Sequence, residues 1–115
     1  MSKQEHYQQG MERFAEDRLE DAIRELQKAL EIEPEYGDAL HALSMCHYHH
    51  GEVDRAIEVG EQLRRLEPDN ALAYTSLSMF YNAKGMIEKA EEMGGKAKAA
   101  GFRESLREAK DEQES

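Results

Sequence analysis

The chain has one cysteine, two prolines and no tryptophan, and no apolar run approaches the roughly 20 residues a membrane-spanning helix needs. Cys46 therefore has no internal disulfide partner, and the polar start Met1-Ser2-Lys3-Gln4-Glu5-His6 lacks the apolar core of a secretory signal. Both features fit a reducing, cytoplasmic setting. Positive charge is also scarce. The formal net charge is −10, with −5 carried by residues 1–35, −4 by 36–69, +1 by 70–101 and −2 by 102–115. Phosphate binding needs clustered Lys and Arg, so the balance argues against a nucleic-acid partner. The acidic first two-thirds would instead steer neutral or basic partners toward it. No glycine-rich phosphate loop of the nucleotide-binding kinds occurs, and no nucleophile–base–orienter set is visible. Ser44 and Ser78 recur as small residues, and Cys46 points about 100° away from its neighbour His47 on a helix. An enzyme is not expected.

What the chain does have is a period. Leu43-Ser44-Met45 returns as Leu77-Ser78-Met79 thirty-four residues later, and the same offset carries Pro34 to Pro68, Gly51 to Gly85 and Gly60 to Gly94. Ala22, Ala56 and Ala90 keep it, as do Met11, Met45 and Met79. A fixed period of this size marks a solenoid built from one supersecondary unit. Hydrophobic residues make up 39% and charged residues 35%. That lean balance suits a solenoid, where each unit buries only the faces shared with its neighbours.

Apolar spacing at i, i+4, i+7 and i+8 predicts a helix from Lys3 to about Glu16, through Tyr7, Met11, Phe14 and Ala15. Asp17-Arg18 marks a break. A second helix follows from about Leu19 to Ile32 and ends at Pro34, because the residue before a proline is pushed out of the α region. The next pair spans Asp38–His50 and Val53–Leu66, split by Gly51 and closed by Pro68. The third spans about Ala71–Lys84 and Ile87–Ala100, split by Gly85. Gly94-Gly95 inside the last helix has two readings: close helix–helix approach, which Gly60 one unit earlier favours, or a hinge. After Gly101 the stripe Phe102, Leu106, Ala109 predicts a short capping helix over about 102–110, folded across Ile87, Ala90, Met93 and Ala97, with 111–115 a frayed tail.

These 34-residue helix-turn-helix units resemble the tetratricopeptide repeat (TPR). The likeness covers about residues 3–101, as units of about 3–36, 37–70 and 71–101. In family register the small residue of the first helix falls on Gly10, Ser44 and Ser78, and the alanine of the second on Ala22, Ala56 and Ala90. The large apolar residue before that alanine falls on Leu19, Val53 and Ile87. The later small residue falls on Ala29 and Ala97, with Leu63 departing, and the closing proline on Pro34 and Pro68. The family's first-helix aromatics survive as Tyr74 and Tyr81; His6 and Leu40, and Arg13 and His47, replace them elsewhere. The implied fold is all-α: a right-handed α-solenoid of three TPR units plus the short C-terminal capping helix, a single domain over residues 1–110.

The resemblance further implies a concave groove lined by the first helices, at Gln4, Tyr7, Met11, Phe14 and Ala15, at Asp38, His41, Met45, Tyr48 and His49, and at Leu72, Thr75, Met79, Asn82 and Ala83. Spacing agrees for one stripe, since His41, Met45, Tyr48 and His49 stand at i, i+4, i+7 and i+8. Met11, Met45 and Met79 would form a thioether ladder flanked by aromatics, an adaptable apolar surface; the same residues could instead only fill the joints between units. The expected function is a non-catalytic protein-interaction module that binds an apolar or amphipathic peptide segment of a neutral to basic partner. The expected partner-binding residues are Tyr7, Met11, Phe14, His41, Met45, Tyr48, His49, Met79 and Asn82. Met45→Glu should then abolish capture and leave melting nearly unchanged. The family's carboxylate clamp is not expected, because the matching places carry Tyr7, Met11, Ala42, Leu72 and Ser76, none of them a cation.

Two alternatives stay open. One is a self-assembling scaffold joined through an end face, a monomer or weak homo-oligomer. The other is metal or haem binding by Cys46, His49 and His50, where thiolate and imidazoles at i, i+3 and i+4 suit zinc or copper. One helix supplies at most three ligands there, and His41 is about 12 Å from His49 along the axis at ~1.5 Å per residue. No cofactor is expected. The groove histidines would titrate between about pH 5 and 7.

Overall fold

The computed structural model describes residues 1–114. It contains six helices: α1 Lys3–Ala15, α2 Leu19–Ile32, α3 Gly37–His49, α4 Val53–Leu66, α5 Ala71–Lys84 and α6 Ile87–Glu114. They stack as three antiparallel pairs, and each pair packs on the next chiefly through its second helix: α2 on α3 and α4 on α5. The expected all-α repeat architecture is therefore present among the described residues.

The turns inside the three pairs share one hydrogen-bond plan. The N–H groups of Asp17, Gly51 and Gly85 donate to the carbonyls of Phe14, Tyr48 and Asn82, and those of Arg18, Glu52 and Met86 donate to Arg13, His47 and Tyr81. This is the Schellman closure, which needs a left-handed residue just past the helix end. Gly51 and Gly85 supply it with φ of 82° and 86°. Asp17 stands thirty-four residues before Gly51 and adopts φ 61° without the help of a missing Cβ. The turns between pairs repeat as well. Glu33 and Glu67, each before a proline, leave the α region with φ of −135° and −128°.

Burial follows the joints. Ala22, Leu26, Ala29, Ala39, Ala42, Leu43 and Cys46 close the first joint, Leu40, Leu63 and Ala73 the next layer, and Ala56, Tyr74, Leu77, Phe80, Tyr81, Ala90, Met93 and Ala100 the last. Close approach explains Gly60, where a Cβ would stand 2.8 Å from Leu77 Cδ2. It does not explain the later glycines. A Cβ at Gly94 would meet only Ser78 Oγ at 3.6 Å, an ordinary contact, and one at Gly95 would meet nothing within 4 Å.

The C-terminus corrects the expectation. No separate capping helix follows Gly101: α6 runs unbroken to Glu114, twice the length of α2 or α4. Phe102 and Leu106 are 65% and 55% exposed and do not fold back over Ala90 and Met93. Residues 111–114, expected to fray, belong to the same helix, and Ser115 lies outside the described residues. The physical reason is in the repeat itself. Phe102 stands where Pro34 and Pro68 stand in the earlier units, so nothing expels Gly101 from the α region and the helix continues.

Candidate functional site: the α1–α3–α5 face

Helices α1, α3 and α5 lie side by side, and ring contacts stitch them together. Phe14 meets the His49 ring edge-on at 5.6 Å, His49 meets Tyr48 at 5.3 Å, and Tyr48 packs against Phe80 at 5.3 Å. The run crosses all three pairs. At its N-terminal end Tyr7 packs against Tyr36 at 5.4 Å, with Lys3 Nζ 5.1 Å from the Tyr36 ring centre.

The nine expected binding residues fall into two cavities and a bridge. Tyr7, Met11, Phe14, His41 and Met45 surround a cavity of about 230 Å³, completed by Ala42. Tyr48, Met79 and Asn82 line a wider one of about 690 Å³ together with Ser78, Gly94 and Lys98. His49, exposed, stands between the rings of Phe14 and Tyr48. Sequence reasoning missed Lys98 and Gly94, because they belong to a second helix. Their signal was positional: among the described residues α6 packs only on α5, so its free face becomes a wall of the cavity.

The methionines are not equivalent. Met11 is 38% exposed, whereas Met45 and Met79 are half-buried and pack against the α4–α5–α6 core. The thioethers line the two cavities, and two of them also fill a joint. Met45→Glu is consequently not the neutral variant expected from sequence, since it places a carboxylate against that core. Met11→Glu is the cleaner probe.

The electrostatics of the first cavity come from His41 and Asp38. His41 Nε2 lies 3.1 Å from Ser76 Oγ, reaching from α3 to α5. Burial, partly opposed by the Asp38 carboxylate, pushes its pKa below the usual imidazole value. At neutral pH it is an uncharged hydrogen-bonding wall, and its titration lies lower than its residue type suggests. Burial, and then the charge of Asp38, raise the Tyr7 hydroxyl. Asp38, one turn before His41 on α3, acts on both groups through its charge, and among the described residues no cation pairs with it within ion-pair distance.

The Cys-His cluster is dispersed. Cys46 is fully buried in the α2–α3 joint, and burial pushes its thiol up to about 11. His49 faces the groove rings. His50 instead closes a turn: its Nδ1 and that of His47 each lie 3.0 Å from Glu52 Oε1, and its Nε2 lies 3.5 Å from Glu20 Oε1 of the preceding pair. Hydrogen bonds from His50 and then His47 hold the Glu52 carboxyl down at about 2. The cluster is a joint fastener. Among the described residues no group of three His, Cys, Asp or Glu side chains is placed to hold a metal ion.

A tetratricopeptide-repeat family profile matches residues 13–75, more than half of the sequence. The chain belongs to the tetratricopeptide-repeat family. Solved structures agree. A crystal structure of MamA is 30% identical and superposes with a TM-score of 0.88 over 91% of this chain, which spans 61% of that one. YrrB, described as a TPR protein with an unusual peptide-binding site, is 25% identical with a TM-score of 0.82, over 87% of this chain and 52% of that one. The second TPR domain of Spaghetti (RPAP3), bound to an HSP90 peptide, shares the fold with a TM-score of 0.83 at 13% identity, over 87% of this chain and 93% of that one. No curated protein matches the sequence. The chain is a TPR module of three helix pairs among the described residues. Among the described residues no helix is long and apolar enough to cross a membrane.

Proposed function

We propose that the α1–α3 face captures an apolar or amphipathic segment of a neutral to basic partner protein, with one large apolar side chain of the ligand seated among Tyr7, Met11, Phe14 and Met45. The observation that carries this reading is the convergence of those side chains on one cavity of about 230 Å³. Such pockets, apolar with a few placed polar groups, are what bind anchor residues of a peptide. His41, held neutral, supplies the polar edge, and Asp38 one turn before it, with the acidic first two pairs, favours a basic flank. A TPR domain of like fold, the second of Spaghetti (RPAP3), is bound to an HSP90 peptide, which supports peptide capture as the use of this fold. The buried, unpartnered Cys46 thiol fits work in a reducing compartment such as the cytoplasm.

The test is a displayed-peptide selection on the intact chain, followed by titration of enriched peptides with wild type and Met11→Glu. Met11→Glu is expected to weaken binding at least tenfold, about 1.4 kcal/mol, with an unchanged thermal melt. Enriched peptides that bind both proteins equally would place the site elsewhere.

A further inference from the structure

The α5–α6 cavity repeats, one unit later, a seat that the chain itself fills. Thr75, Met79, Asn82, Gly94, Ala97 and Lys98 in its walls stand where His41, Met45, Tyr48, Gly60, Leu63 and Arg64 stand one repeat earlier. That earlier set holds α5. His41 reaches Ser76 at 3.1 Å, Tyr48 packs on Phe80, and Leu63 shares a buried layer with Ala73. Gly60 makes room for Leu77, since a Cβ there would stand 2.8 Å from Leu77 Cδ2. The two ends of α5 meet polar groups. Lys84 Nζ lies 2.5 Å from Asp54 Oδ1, and Arg64, its pKa raised first by its bond to Glu61 and more weakly by Tyr74, stands near that tyrosine.

Among the described residues no helix of this chain takes the later seat, because α6 packs only on α5. Gly94 keeps the missing Cβ of Gly60, yet a Cβ there would meet only Ser78 Oγ at 3.6 Å. Both ends of the seat keep their charge, with Lys98 in the place of Arg64 and Glu88 in the place of Asp54. Gly95 replaces Glu61, and the positions one turn either way from Lys98 on α6 are Gly94, Gly95, Gly101 and Phe102. No acid on its own helix therefore answers it. Lys96 pairs with Glu92 at 3.4 Å, whereas Lys98 and Glu88 are in no ion pair among the described residues.

We propose that this seat takes a helix of a partner protein built on the α5 plan. Its two large apolar residues stand three apart, as Leu77 and Phe80 do. A carboxylate three residues before the first, in the place of Tyr74, meets Lys98, and a lysine or arginine in the place of Lys84 meets Glu88. Charge complementarity fixes both the occupant and its direction. An acidic start and a basic end are also what the dipole of the incoming helix favours. A second copy does not supply such a helix: α1, the one first helix outside a joint, carries His6, Gln9 and Glu12 where α5 carries Tyr74, Leu77 and Phe80. The seat accounts for Gly94, which weakens α6 relative to alanine and which no contact inside the chain requires. It is a second site, independent of the Met11 cavity.

The probes are two synthetic peptides copying residues 70–85, one with Tyr74→Glu and one with the tyrosine kept. A staple joining the Thr75 and Asn82 positions holds each helical, because so short a helix is marginal in water. Fluorescence anisotropy with the full chain is expected to show one peptide per chain, the acidic one bound roughly tenfold more tightly, less so as salt rises. Gly94→Gln fills the seat and should weaken both peptides by about tenfold or more, with the melt of wild type. Lys98→Glu should abolish the preference for the acidic peptide; Lys98 is exposed, so this arm decides even where Gly94→Gln lowers the melt. A wild type that binds neither peptide overturns the proposal. Equal binding to wild type and Gly94→Gln does so too, since the peptide would then be displacing the chain's own α5. Binding that is lost in Met11→Glu and kept in Gly94→Gln would put the peptides in the Met11 cavity, overturning the seat and leaving peptide capture standing. A wild type that associates without peptide, and that Gly94→Gln makes monomeric, would give the seat to a second copy and overturn the partner assignment.

Discussion

The first and third helix pairs share a backbone plan and fill it differently. Where α5 carries Tyr74, Leu77, Phe80 and Tyr81, all buried, α1 carries His6, Gln9, Glu12 and Arg13 at the same repeat positions. Tyr74 donates to the Pro68 carbonyl at 2.6 Å and Tyr81 to Glu61 Oε1 at 2.8 Å, tying α5 to the preceding pair and turn. His6 instead lies 2.9 Å from Glu25 Oε2, inside its own pair. The difference comes from neighbours. Helix α5 lies on α4, so its inward positions are large and apolar; among the described residues α1 packs on no preceding helix, and its matching positions are half-buried or, at Glu12, exposed. The period thus dictates the backbone, while the presence of a preceding pair dictates the side chain. In such an array stability is the sum of each unit and its joints, so equivalent positions should differ greatly in what they are worth.

The sharpest way to break this comparison is the repeat position held by Glu12, Cys46 and Phe80. Phe80 is fully buried and packs on Tyr48. Phe80→Ala should cost about 3–5 kcal/mol in denaturant unfolding, whereas Glu12→Ala, exposed, should stay within about 0.5 kcal/mol of wild type. Comparable losses would mean that the first pair is as tightly jointed as the third.

The next effect concerns the closing proline. Phe102→Pro restores the residue that ends α2 and α4. It should cost about 3 kcal/mol of local helix stability and melt the extension. Circular dichroism should show reduced helicity, with the cooperative transition of the core near its wild-type midpoint. Retention of full helicity would show that α6 is held past Gly101 by something other than the missing proline.

These two cases show what was legible in the sequence. The thirty-four-residue offset located all six helices; Tyr7, Met11, Phe14, His41 and Met45, expected along a groove from the repeat resemblance, line one cavity. The end of α6 was misread because Gly101 resembled a stop. A glycine alone, at roughly 1 kcal/mol relative to alanine, does not end a helix that lacks a left-handed closure or a following proline. The repeat offset, applied to Pro68, pointed to Phe102. The partial burial of Met45 and Met79 was hidden for another reason: groove and joint share one side of α3 and α5, and spacing along a helix does not separate them.

The intra-pair turns give a smaller contrast. Asp17 holds the left-handed conformation that Gly51 and Gly85 hold in the later pairs, and a Cβ in that region costs about 1–2 kcal/mol, less for Asp than for most residues. Asp17→Gly should therefore stabilise the chain by about 0.5–1 kcal/mol, net of the greater entropy of an unfolded glycine. Gly85→Ala should destabilise it by a similar or larger amount. Denaturant midpoints measure both, and a destabilising Asp17→Gly would mean that the carboxylate itself secures the turn.

The smallest effect is the pH dependence of the fastener between the first two pairs. Bonding to His50 and then His47 depresses the folded pKa of Glu52 to about 2. Its contribution is present above the unfolded carboxyl value of about 4.3 and is lost as pH falls toward the folded one. The bond to Glu52 raises the folded pKa of His50. That contribution is complete below the unfolded imidazole value of about 6.5 and is lost as pH rises through the folded one. The melting difference between wild type and Glu52→Gln should therefore peak between roughly pH 4.5 and 6.5 and shrink on both sides. Because His50 is exposed and Glu52 partly so, added salt should flatten the peak. The first pair, with few large side chains in its joint, is where such a fastener should count most. A difference that stays flat across the range would mean that the polar end of the solenoid is held by its apolar joint alone.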